Sequence, residues 1–94
     1  MYRQGDLLFA LCASIPKDAT LVSDGVIARG EASGHAHRLQ NQVLLMAAGV
    51  MYIRALQQAM ITHEEHGTVM LPPGNYLVKR QREYEPAGWR QVND

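Results

Sequence analysis

Apolar positions in this chain come in short bursts, and several bursts alternate with polar residues at the period of an extended strand. Leu7 to Cys12 is a continuous apolar run and predicts a buried first strand. Val26 to Ala32 predicts a second, ending at Ser33-Gly34, and Gln42 to Ala47 predicts a third. Val50 to Leu56 can be read two ways. A helix would put Val50, Ile53, Leu56 and Met60 on one face, whereas a strand alternates Tyr52 and Arg54 with Met51, Ile53 and Ala55. The β-branched and aromatic residues favour the strand, with Gln57-Gln58 as a tight link into Ala59 to Thr62. Thr68 to Leu71 follows, and Pro72-Pro73-Gly74-Asn75 is the strongest turn signal. Tyr76 to Tyr84 alternates, with Tyr76, Val78, Arg80 and Arg82 on one face, and Trp89 to Val92 predicts a short last strand. The expectation is an all-β fold, a small barrel or sandwich of six to eight short strands, as a single domain over residues 1–94.

Composition adds limits. A chain of 94 residues buries only about 60–65% of its unfolded surface. Assembly into a homo-oligomer is therefore expected. Nine basic and nine acidic residues cancel, which disfavours extended nucleic acid as a partner and leaves one basic focus, Lys79-Arg80-Gln81-Arg82. The single cysteine, Cys12, reads as a buried structural thiol and agrees with a reducing, cytoplasmic setting. No signal peptide and no membrane span is read from the sequence, because no apolar run is long enough to cross a bilayer.

The four histidines change the picture, because they fall in two pairs beside glycines: Gly34-His35-Ala36-His37 and His63-Glu64-Glu65-His66-Gly67. His35 and His37 share one face if extended. In the second stretch, His63 and Glu65 share a face if it is extended, and His63 and His66 do so if it turns. Not all of its side chains can converge unless the segment bends, so it reads as half a site that the first pair completes.

Three chemistries suit these residues. In the first, His35, Glu65, His66, Arg80 and Arg82 surround a small phosphate-containing ligand, best a nucleotide, with Tyr84 stacking on a base. His37 and His63 are then the acid and base of any hydrolysis. In the second, His35, His37, His63 and His66 ligate zinc, iron, manganese or nickel, with Glu64 or Glu65 as ligand or base. That arrangement resembles cupins, but the acid which cupins place shortly after their paired histidines is absent from Arg38 to Gln42. In the third, the protein is a non-catalytic assembly or interaction domain with its polar groups on turns. Asp6, after Gly5, reads as a turn residue or as a carboxylate of the site.

Arg3-Gln4-Gly5-Asp6, Gly34 to Leu39, His63 to Gly67, Leu71 to Tyr76 and Arg80 to Tyr84, in this order, resemble an uncharacterised family of short bacterial and phage proteins. The resemblance spans nearly the whole chain. It implies that the histidine pairs and the arginine strand belong to one design, and it brings no activity with it. Its occurrence in phage implies a role in phage–host conflict, such as sequestering or degrading a nucleotide signal.

Overall fold

The computed structural model describes residues 1–30 and 33–81. These form ten strands: β1 (Tyr2–Gln4), β2 (Leu7–Leu11), β3 (Thr20–Leu21), β4 (Val26–Arg29), β5 (Ala36–Leu39), β6 (Val43–Ala47), β7 (Val50–Ala55), β8 (Ala59–Thr62), β9 (Val69–Leu71) and β10 (Gly74–Arg80). All pairings are antiparallel. One sheet runs β1-β2-β10-β7-β6-β3 and the other β4-β5-β8-β9, so the fold is all-β and sandwich-like, without closing into a barrel.

The strand count exceeds the expected six to eight. The additions, β1, β3 and β5, are short or polar. β1 shows no apolar pattern, because its one buried residue is Gln4, held by hydrogen bonds rather than by apolarity. β3 has two exposed residues, too few to show a period. Val50 to Ala55 is a strand, as its β-branched residues predict, and it pairs on both sides, with β6 and β10. Ala48 and Gly49 both take positive φ, 51° and 77°, which is the geometry of a tight two-residue hairpin turn between β6 and β7. The connection after β7 and Pro72-Pro73 do not make hairpins; each carries the chain from one sheet to the other.

Inward-facing Leu7, Phe9, Ile27, Leu39, Leu44, Ile53, Ile61, Leu71 and Tyr76 fill the space between the sheets. Tyr76 is the largest fully buried side chain, and its hydroxyl donates to the Pro72 carbonyl at 2.6 Å. Along β10 the inner face runs Tyr76, Val78, Arg80, from buried through half-buried to exposed. That line leads out of the core to one mouth of the sandwich. Cys12 is half-buried, not buried, and its thiol is pushed upward by desolvation. No helix among the described residues is long and apolar enough to cross a membrane.

Candidate functional site

The two histidine stretches meet because β5 pairs with β8. Their register sets Arg38 opposite Thr62 and Leu39 opposite Ile61. Carried past the last pair, the same register sets His37 opposite His63, Ala36 opposite Glu64 and His35 opposite Glu65. Directly opposed residues share a face. The contacts follow that logic: the rings of His37 and His63 lie 4.4 Å apart, and His35 Nδ1 is 3.5 Å from Glu65 Oε1. Glu64 turns the other way. It accepts the Ala36 N–H at 2.9 Å and an Arg38 Nη1–H at 2.9 Å. The backbone bond from Ala36, then Arg38, then its own N–H, hold its carboxyl down to about 2.

The segment after β8 does bend. The N–H groups of Glu65 and His66 both donate to His63 Nδ1, at 3.0 and 3.2 Å. The bend swings His66 back beside His63, with ring centres 4.5 Å apart, and parallel to His37 at 5.9 Å. His66 also packs on Gly5, where an added Cβ would lie 2.7 Å from its Nε2. Gly5 takes φ +59° there. Of the four ionisable groups in the stretch, three line one cleft and Glu64 clamps its wall.

That cleft holds about 370 Å³ and is lined by Asp6, Arg29, Gly30, Ser33, His35, His37, His63, Glu65, His66 and Arg80. The four histidines, Glu65 and Arg80 expected from the sequence are therefore brought together, whereas Glu64 is not among the lining residues. Arg82 and Tyr84 lie outside the described residues, as do the end of the predicted long strand and the predicted strand from Trp89 to Val92. Asp6 proves to be both turn and site residue. It pairs with Arg80 Nε at 3.1 Å and stands 3.8 Å from His37 Nε2. Arg29 is paired with Asp24 at 3.2 Å.

Sequence reading missed Gln4, which lies behind the cleft. It is 2% exposed, and its amide donates to the carbonyls of Ile61 and Gly67, both at 2.9 Å. Both amide hydrogens are then used, so Oε1 is the atom left to face His37 Nδ1 at 2.8 Å. An amide oxygen can only accept. Nδ1 of His37 therefore carries the proton, and the neutral ring offers a bare Nε2 to the cleft. Burial, then the charge of His63, lower the pKa of His37 to about 4 despite the opposing pull of Asp6, so the ring is neutral near pH 7. His63 has the reverse arrangement. Its Nδ1 accepts two backbone N–H groups, so its neutral ring carries the proton on Nε2.

Histidine and carboxylate donors invite a metal. Among the described residues, His35, His63 and Glu64 offer atoms within 4.8 Å of one another. A cation there must compete with Ala36 and Arg38 for Glu64, and His63 can offer only Nε2 while its Nδ1 accepts two backbone N–H groups. His37 and His66 are not in that group.

The fold and cleft thus define a two-sheet antiparallel domain with a histidine-lined mouth. The chain belongs to the family described as a domain of unknown function (DUF8820), whose model matches residues 3–81. The match contains every residue that lines the cleft. No curated protein and no solved structure matches the chain.

Proposed function

We propose that the protein binds a small phosphate-containing ligand in this cleft, with a nucleotide or nucleotide signal as the first class to test. The observation that carries this reading is the opposed polarity of two adjacent rings. His63 presents an N–H and His37 a lone pair, 4.4 Å apart centre to centre. A phosphate ester carries both partners, acceptor oxygens on phosphorus and hydroxyl groups on its sugar. Arg80 and Arg29, ion-paired with Asp6 and Asp24, supply guanidinium groups, and such groups match phosphate oxygens two at a time. The lone-pair pole, His37 Nε2 with Asp6, is where a ligand hydroxyl would donate. It also makes His37 the base for a hydrolytic extension of the reading, assayed as phosphate release.

The test is a thermal-unfolding screen of untagged protein with inorganic phosphate, pyrophosphate, and linear and cyclic nucleotides, beside elemental analysis. A ligand at about a thousand times its Kd should stabilise the fold by about 4 kcal/mol. The gain should vanish in a His37→Ala/Arg80→Ala variant. No gain with any of these compounds, or an equal gain in the variant, refutes the reading. A stoichiometric transition metal without a phosphate effect would give the cleft to the second reading, favoured by the proximity of His35, His63 and Glu64.

The wider setting belongs to the same proposal. Free Cys12 supports a cytoplasmic location. Exposed Leu11, Leu21, Met46, Leu56 and Met70 support assembly into a homo-oligomer. Phage–host conflict, implied by the resemblance, is the setting in which a nucleotide signal would matter.

A further inference from the structure

A second groove, of about 350 Å³, opens beside the histidine cleft, between the edge strand β4 and the inner face of β7 and β10. Its walls include Ile27, Val50, Met51 and Val78, and its end is formed by Arg29 and Arg80. The same two arginines line the histidine cleft. Arg29 and Arg80 therefore border both spaces. Met51 and Val78 are cross-strand partners, so their side chains share the face that Arg80 continues. Met51, Val78 and Ala28 are only partly buried where they border the core. The sandwich leaves this apolar surface uncovered among the described residues.

Resting on the phosphate reading above, we propose that this groove is the nucleobase subsite of the same ligand, so that the site takes a nucleoside phosphate rather than a bare anion or a sugar phosphate. Three observations choose the occupant. The arginines border both the polar histidine cleft and an apolar groove, which suits a ligand with a charged head and a flat apolar body. A guanidinium plane stacks on a base as readily as it binds phosphate, and methionine sulfur favours an aromatic ring. Taken singly, each space is near the lower end of the roughly 300–1,000 Å³ that small-molecule sites occupy, and together they lie well inside it. An alkyl chain would gain most from an enclosed tunnel, and this groove is open along its rim.

The experiment is titration calorimetry with inorganic phosphate, ribose 5-phosphate, the nucleoside 5′-monophosphates and hexyl phosphate. At least one nucleoside monophosphate should bind about tenfold tighter than ribose 5-phosphate, the scale of one stacked base. Val50→Gln should remove that increment and leave phosphate affinity unchanged. In the unsubstituted protein, the Met51 methyl resonance should move upfield with the nucleotide and stay in place with ribose 5-phosphate. This readout holds even if the variant fails to fold. Equal affinity for nucleotides and ribose 5-phosphate, or tighter binding of hexyl phosphate, overturns the subsite while the phosphate reading stands. Binding of none of the four overturns the subsite, and the phosphate reading falls with it if the thermal screen is blank as well.

Discussion

Acid should weaken this fold in a window set by His37. Its imidazole is held to about 4, first by burial and then by His63, against an ordinary value of 6.5. Between those values the unfolded chain holds a proton on this residue that the folded chain does not. Stability is therefore fully present above the unfolded value and falls as the pH drops toward the folded one. Linkage at about 1.4 kcal/mol per pH unit gives a loss of about 2 kcal/mol by about pH 5. The Nε2 edge of the ring faces an open cleft, so solvent screening reduces this to about 1–2 kcal/mol. That is a sizeable share of the roughly 5–15 kcal/mol that holds a domain together. Urea unfolding at several pH values between about 7 and about 5 measures it, from the shift in midpoint at constant slope. His37→Asn keeps an N–H for Gln4 and does not titrate, so its curve should be flatter by the same 1–2 kcal/mol. Parallel curves for the two proteins would mean that His37 is not a buried neutral base.

Gln4→Leu should cost about 3 kcal/mol in urea unfolding, since it strips hydrogen bonds from Ile61, Gly67 and His37 in a buried place; a loss under about 1 kcal/mol would mean that Gln4 is not the clamp described. Glu64 acts in a lower window than His37: its carboxyl is held to about 2 against an ordinary 4.5, so its contribution is present above the higher value and lost as the pH falls toward the lower one. Glu64→Gln should flatten the acid-unfolding curve in that lower window alone. Gly5→Ala should cost about 1 kcal/mol from its positive φ and displace the His66 ring, which sits where the new methyl would go. The His66 ring resonances report the displacement, and an unmoved ring would contradict the packing.

Much of this site was legible in the sequence, and the exceptions have physical causes. The paired histidines announced themselves by composition and spacing. The alternation on Tyr76 to Arg80 correctly put Arg80 on the face of Tyr76 and Val78. Antiparallel pairing of β5 with β8 then makes the two histidine stretches run past each other in register, which no periodicity within either stretch reveals. Strand alternation put His63 with Glu65 and left His66 on the other face; the bend closed by His63 Nδ1 brings His66 round. Gln4 was illegible because a buried glutamine looks like any polar turn residue until its three partners, on β5, on β8 and after it, are in place. β1 was hidden for the same reason. Asp6 could be weighed but not placed, since its role depends on β10 ending beside it, where the Gln81 N–H donates to the Asp6 carbonyl at 2.7 Å.

His37 and His63 offer one ligand opposite hydrogen-bonding polarity, a lone pair for its hydroxyl and an N–H for its phosphate oxygen. Long-range nitrogen–proton NMR of imidazole-labelled protein near neutral pH reads both rings, with and without a nucleoside 5′-monophosphate. Expected are a protonated Nδ1 and bare Nε2 on His37, the reverse on His63, and a shift of both Nε2 resonances when the nucleotide is added. The opposite tautomer on either ring, or two Nε2 resonances indifferent to the nucleotide, would rule this arrangement out.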